Sequence, residues 1–309
     1  MVSVAICTRN RAGLLAKAAQ SVLTQLADQD ELLIVDNGST DGTPAYCAHL
    51  SASHGCVRAF TESKSGLSVA RNRALQEARG EWIIFLDDDT VVESGWLAAY
   101  RTFFANGVTD KIAALGGSVI PRYESSVPQW LPPHPVAPNN SVEARPCQPG
   151  ESVIGCNFAV RRKLTLEIGG FNVRLGHCGE VPGGYDEVEL IERFTRAGYE
   201  IWWVTGACVQ HLVSSTRLNL LWQLNCAFHV GSCSAIRRLS KLNAGSSTFS
   251  FSLMRILTGP FHCAFHLLAA TFSFLIRNRR KGTRSLMRAS SIAGYNFLLV
   301  KQLFRPDYA

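Results

Sequence analysis

The sequence predicts an α/β protein with a mainly parallel sheet, followed by a helical C-terminal region. Two observations carry the first part. Short apolar, β-forming runs recur at residues 2–7, 31–35, 57–61, 82–86 and 113–120, and stretches with helical apolar spacing lie between them. Strands that alternate with helices in this way build right-handed βαβ units. The third observation is a change of charge along the chain. Residues 1–212 hold 18 Lys+Arg against 23 Asp+Glu, whereas residues 213–309 hold 13 against a single acid, Asp307. An asymmetry that steep predicts an acidic catalytic half and a basic half facing an anionic surface. With 47% apolar and 18% charged residues, 309 residues are enough for one large domain or two smaller ones.

The first strand, residues 2–7, opens the chain directly, so no secretory signal is expected before it. A polar loop, Thr8-Arg9-Asn10-Arg11, follows. The spacing of Leu14, Leu15, Ala18, Ala19, Val22 and Leu23 predicts a helix over 12–25. The second strand ends in Asp36-Asn37-Gly38-Ser39, a turn followed by helix-capping residues. Asp36 reads equally as a ligand to a nucleoside or as a plain turn residue. After the third strand, Gly66 and Ser68 open a helix that ends near Gly80; free N–H groups at such a start attract anions, and Arg71 and Arg73 lie within its first turns.

The fourth strand is the centre of the chain. Trp82-Ile83-Ile84-Phe85-Leu86 reads as buried on both faces, and Asp87-Asp88-Asp89 follow at once. Ligands bind at the C-terminal ends of strands in open α/β sheets. Three adjacent carboxylates repel each other unless a cation lies among them, and hard oxygen ligands suit Mg²⁺ or Mn²⁺ shared with a substrate phosphate. The plainer alternative is a solvated acidic turn.

A helix over 94–106 and the fifth strand come next, then a proline-rich loop, 121–150, which Trp130 and Leu131 are expected to anchor, with stacking on a substrate as the alternative. Residues 155–162 predict a strand running into a helix that Gly169-Gly170-Phe171 ends, and 172–184 are loop-like. Asp186 and Glu187 then open a helix. There they read as N-terminal carboxylates favoured by the dipole, or as a general base at the mouth of a cleft. Residues 201–204 are the last strand and lead through 207–210 to His211, a structural or metal-ligating imidazole. The ten cysteines form no CxxC pair, which excludes a zinc ribbon or thioredoxin-type site and fits reduced, buried thiols.

In the C-terminal region, residues 256–276 are apolar over a length that can span a bilayer, although Gly259-Pro260, His262 and His266 interrupt them. Arg277, Arg279, Arg280, Lys281, Arg284 and Arg288 follow, then a stripe of Ile292, Tyr295, Leu299 and Leu303. The expectation is an anionic membrane surface as partner, with a single span at 256–276 as the alternative. Packing of these helices on the catalytic half is a further alternative. Nucleic acid is not expected, because the basic residues are interleaved with aliphatic runs and not with aromatic platforms.

Residues 2–230 resemble a family 2 glycosyltransferase of the GT-A type, close to bacterial surface-polysaccharide glycosyltransferases. The segments that carry the resemblance are Ser3 to Arg11, Leu33 to Asp41, Gly66 to Asn72, Phe85 to Asp89, Gly155 to Arg162 and Gly169-Gly170-Phe171, in the family's order. Residues 213–309 are expected, from their charge and apolar run, to be a membrane-associated helical region, and the resemblance implies a GT-A, Rossmann-like catalytic domain over 1–212. It implies a nucleotide-sugar donor held by Thr8, Asp36, Arg71, Asp87 and Asp88, and Mn²⁺ or Mg²⁺ on Asp89 and His211. It also implies inversion at the anomeric carbon on a glycan acceptor; the basic, apolar segment 213–309 extends the expectation to a lipid-linked acceptor and a cytoplasmic location on the inner face of the membrane. The family's acidic pair is Glu-Asp. Here it is Asp186-Glu187, which puts Glu187 at the base position beside Asp186. A processive synthase carries QxxRW, which is absent, so single-sugar transfer is expected. Phe85 to Val91 also fits the hhhhDxDx[TV] pattern of haloacid-dehalogenase-type phosphatases with Asp87 as nucleophile, but that motif belongs on a first strand. A non-catalytic nucleotide-sugar-binding protein is the other alternative.

Overall fold

The computed structural model describes residues 1–106, 108–132, 144–148, 151, 153–179, 181–241 and 246–304, excluding the side chains of 246–249 and 303–304. Pro133, Pro135, Pro138 and Pro149 of the long loop, Glu180 and the Leu303 side chain therefore lie outside the described residues. The chain divides into two compact units. One holds Met1–Arg122, Asp186–Val213 and the described part of Pro135–Val173; the other holds Ser214–Ala309 as far as described, with the described parts of Tyr123–His134 and Arg174–Tyr185.

The first unit is an α/β fold on a mixed sheet. Strands β1 (Val2–Thr8), β2 (Glu31–Asp36), β3 (Val57–Thr61) and β4 (Trp82–Asp87) run parallel in the order β3-β2-β1-β4. Every residue of β1 and β2 is buried, as expected for strands covered on both faces. Helices α1 (Ala12–Leu23), α2 (Thr43–Ser53) and α3 (Leu67–Glu77) connect them. Register sets the functional edge: Thr8 pairs with Asp36, and Cys7 with Asp87, so three strand ends finish level.

The rest of the sheet includes antiparallel pairings, which periodicity alone does not order. After β5 (Thr90–Val92), α4 (Trp96–Asn106), β6 (Ile112–Tyr123) and β7 (Arg145–Pro146) comes β8 (Asn157–Arg161). It inserts between β4 and β6, antiparallel to both. Helix α5 (Arg162–Glu167) follows, then α6 (Asp186–Arg196). The last strand, β9 (Glu200–Val213), is one 14-residue strand where the sequence reading has a short strand and a lead-in. The three-residue β5 has no counterpart in that reading. It pairs with β9 so that Thr90 faces His211, which brings the imidazole opposite the acidic turn.

Asn157 locks this half together. Its amide donates to the Ser118 and Ala207 carbonyls (2.9 and 2.8 Å) and accepts from Trp96 Nε1 and the Tyr100 hydroxyl (3.0 and 3.2 Å), all buried. Gly117 allows the approach, since a Cβ there would run into the Asn157 amide and the Ala207 carbonyl.

The second unit contains α7 (Leu220–Leu239), α8 (Ser246–Leu275) and α9 (Arg279–Phe304), with α9 packed against both of the others. Asn219 caps α7 by accepting from the Leu221 N–H (2.8 Å). The Leu299 side chain of the expected apolar stripe is fully buried. All ten cysteines are free thiols.

Candidate active site

The level ends of β1, β2 and β4 bring Thr8, Asp36 and Asp87-Asp88-Asp89 to one edge. Two side-chain clusters are built on it. The first is centred on Arg71, whose guanidinium donates to Asp186 Oδ2 (2.5 Å), Asp87 Oδ1 (3.0 Å) and the Gly155 carbonyl (2.8 Å). The rings of Phe85, Phe158 and Phe171 surround it at 5.9, 5.3 and 5.7 Å. Burial alone would lower the guanidinium's affinity for its proton. The carboxylates of Asp186, Asp87 and Glu187 outweigh that and raise it, so the charge is permanent.

The clamp explains two of the sequence segments. Asn72, next to Arg71, exchanges two hydrogen bonds with the Phe171 backbone (2.7 and 2.8 Å), and so fixes α3 to the Gly169-Gly170 turn. Both glycines have positive φ (92° and 68°), and a Cβ at Gly170 would meet Asn72 Oδ1. Arg71 is thus behind the acidic strand end and not at its mouth. With 3% of its side chain exposed, it is committed to protein carboxylates where the sequence reading has it near a diphosphate. The Gly66 N–H, expected to be open to an anion, donates instead to Asn37 Oδ1 (2.7 Å).

Asp186 and Glu187 divide their work in this geometry. Asp186 is buried and held by Arg71. Glu187 is only partly buried as a residue, yet its carboxyl lies against Gly155, where a Cβ would sit 3.2 Å from Glu187 Cδ. Desolvation first, then the Asp186 charge, push the Glu187 carboxyl up to about 8, against the opposing pull of Arg71. Removing the guanidinium leaves a buried Asp186 carboxylate uncompensated. Arg71→Met is therefore expected to cost about 3–5 kcal/mol of stability. Arg71→Lys should restore little of it, because one ammonium cannot reach all three acceptors in the guanidinium's planar geometry. Urea denaturation reads both variants, and parent-like midpoints would show that the clamp carries no stability.

The second cluster joins the loop after β1 to the other two acids. Thr8 Oγ1 donates to Asp88 Oδ2 (2.7 Å). Arg11 Nη1 lies 2.8 Å from Asp88 Oδ1 and 3.3 Å from Asp89 Oδ2. His211 Nε2 faces Asp89 Oδ1 at 3.3 Å. Desolvation is the main cause that pushes Asp88 up to about 6; Arg11 opposes it and Asp89 adds to it. Asp36 is buried at the end of β2 and accepts from the Ser39 N–H (3.1 Å), an Asx-type turn contact. Arg11 is not among the site residues expected from the sequence; its spacing three residues after Thr8 is its local signal.

Among the described residues, no three His, Cys, Asp or Glu side chains converge into a complete metal cage. Asp89 and His211 form a partial donor set of carboxylate oxygen and imidazole, on paired elements and both buried. Such a set fits a divalent cation that takes its remaining ligands from substrate phosphate and water.

Residues 3–169 match the family described as Glycosyl transferase family 2. A glucosyl-dolichyl phosphate glucuronosyltransferase of Haloferax volcanii is 22% identical over 74% of this chain and 75% of its own length. The succinoglycan biosynthesis protein ExoM of Rhizobium meliloti is 26% identical over 74% and 71%. A cholesterol galactosyltransferase of Borreliella burgdorferi is 33% identical, but the match spans 31% of this chain and 27% of that protein. Among solved structures, the mannosyltransferase PcManGT from Pyrobaculum calidifontis, in complex with GDP-Man and Mn²⁺, aligns with 99% of this chain and 87% of its own, at a TM-score of 0.62 and 17% identity. At that identity the likeness speaks to the fold.

Proposed function

The chain belongs to glycosyl transferase family 2, and on that premise we propose that it moves one sugar from a nucleotide-sugar donor to an acceptor hydroxyl with inversion at the anomeric carbon. The observation that supports this most is the meeting of two acidic groups at one strand edge: Asp87 to Asp89 beside Thr8 and Asp36, and Glu187 across the Arg71 clamp.

The proposed roles follow the local chemistry. Asp36, Thr8, Asp87 and Asp88 line the donor's place at the ends of β1, β2 and β4, with Arg71 setting Asp87 from behind. Asp89 and His211 would hold Mn²⁺ or Mg²⁺, which supplies positive charge to the leaving diphosphate. Glu187 takes the proton of the acceptor hydroxyl as its oxygen bonds to the anomeric carbon. The bond from that carbon to the diphosphate breaks, and the nucleoside diphosphate leaves with the electron pair. Asp186, tied to Arg71, keeps the start of α6 in place and holds negative charge next to Glu187. Fixing donor and acceptor in line supplies much of the rate.

The phosphatase alternative is not carried forward, because the family match covers the acidic strand and Asp87 Oδ1 is held by Arg71. The acceptor is proposed to be a glycan or lipid-linked glycan of bacterial polysaccharide or glycolipid synthesis, reached from the cytoplasmic face of the cell membrane. A thermal-shift screen of UDP-, GDP- and dTDP-sugars with Mn²⁺ identifies the donor, and proton NMR of the first product reads its anomeric configuration. A product that retains the donor's configuration overturns the inverting reaction.

A further inference from the structure

The α7–α9 unit is packed inside out for a bundle in water. A soluble bundle buries its large side chains and exposes its polar ones. Here the closest approaches between helices are made at small residues. A Cβ at Gly231 would run into the Ser291 carbonyl, one at Gly294 into the Phe228 carbonyl, and one at Gly259 into the Asn296 amide. Ala270, Ser273 and Ala289 are buried. Polar bonds cross between helices, from Ser232 Oγ to the Gly294 carbonyl (2.9 Å) and from Ser290 Oγ to the Leu224 carbonyl (2.8 Å). Close approach at small residues is how helices pack where burying large ones gains nothing.

Leu299 of α9 is buried, but the large residues of α8 are mostly outside. Leu257, Phe261, Phe265, Leu268, Phe272 and Leu275 are between 62% and 78% exposed and are spaced by three and four, which makes one stripe along α8. At 1.5 Å per residue the stripe is about 27 Å long. The charge beside it has one sign. Arg277, Arg279, Arg280, Lys281, Arg284 and Arg288 are all exposed, and the only acid of this region in the sequence is Asp307, outside the described residues.

By length and composition Ser250–Leu275 is able to cross a membrane. The pairing of α8 with α9 argues against it. Gly282 lies against the Phe274 ring, Ala289 against Cys263, and Gly259 against Asn296. Arg284 and Arg288 are therefore alongside the segment between Cys263 and Phe274. A spanning α8 would carry these exposed guanidiniums to bilayer depth.

We propose that this unit docks on an anionic phospholipid bilayer with α8 in the plane of the interface, its Phe and Leu stripe among the acyl chains and the basic side chains of α9 at the lipid phosphates. The inference rests on the reading that the reaction is run at a membrane, and it specifies the surface and the mode of contact. Apolar contact and phosphate attraction together give a stable but salt-sensitive attachment.

The test is flotation of the full-length protein with phosphatidylcholine vesicles, with and without phosphatidylglycerol. The parent should float with the anionic vesicles only. A Phe261→Ser, Phe265→Ser, Phe272→Ser variant should lose flotation. A Lys281→Gln, Arg284→Gln, Arg288→Gln variant should bind roughly tenfold more weakly or worse. All these positions are exposed, so helical circular dichroism and nucleoside-diphosphate binding should stay at parent level in both variants. Flotation of the Ser variant at parent level overturns the proposal. So does attachment that survives high salt and carbonate and yields only to detergent, which would mean a span. A lipid-free dimer that the Ser variant dissociates, with no flotation of the parent, would mean that a second copy covers the stripe. A protein that floats as described but binds no nucleoside diphosphate would contradict the transfer reading and leave docking standing.

Discussion

Glu187→Gln should lower sugar transfer by about 10²- to 10⁴-fold while leaving donor affinity near the parent value. The amide keeps the shape of the side chain and the contact at Gly155, and removes only the ability to take a proton. Because burial and Asp186 push this carboxyl up to about 8, the parent's transfer rate should climb as pH rises through that region and level off above it. The variant should lack this limb. Stability should respond in the opposite direction. A carboxyl whose folded pKa exceeds its unfolded one binds more protons when folded, so its contribution is fully present below the ordinary value near 4.5 and is lost as pH rises through about 8. Urea midpoints of the parent should therefore decline relative to Glu187→Gln across that window. Transfer by the variant at the parent's rate would move the base role to Asp186 or another group.

Asp89→Ala is expected to remove cation-dependent donor binding. Asp89 is buried, faces His211 at 3.3 Å, and is reached by Arg11. Its loss takes away the carboxylate that would join cation and diphosphate, and leaves the cation with His211 alone. A weakening of donor affinity by roughly 2–4 kcal/mol, on the order of 30- to 1000-fold, is expected with Mn²⁺ present. Without Mn²⁺ the variant and the parent should bind the donor alike. Calorimetry of both proteins with and without the cation reads this difference. Equal affinity in Mn²⁺ would place the cation elsewhere.

The parallel half of the sheet was legible because it is written locally. Trp82 to Leu86 is an unbroken apolar run that stops at three acids, and such a run has few readings other than a buried strand with a polar end. The other half was not legible. Nothing near Asn157 says that its strand enters between β4 and β6, and nothing near Thr90 says that it pairs with His211. Those pairings bridge many residues of chain and depend on tertiary packing that period-2 patterns do not encode.

The same distinction runs through the site. The acidic stretch and Asp186-Glu187 stood out as residues, whereas their relation depended on Arg71, which is 115 positions from Asp186. Read locally, an Arg in the first turns of a helix with a Gly-Ser start points to an anion. Only the aromatic walls from Phe85, Phe158 and Phe171 turn it into a buried clamp. Arg11 went unnoticed because a basic residue in a polar loop is ordinary until Asp88 and Asp89 are placed beside it.

Isothermal titration of the full-length protein with UDP, GDP and dTDP, each with Mn²⁺ and then with the cation chelated, tests the central claim most directly. One of the three should bind at a single site, chelation should largely abolish the heat, and Mn²⁺ should restore it. Binding that is indifferent to the cation, or no binding of any nucleoside diphosphate, would contradict that claim.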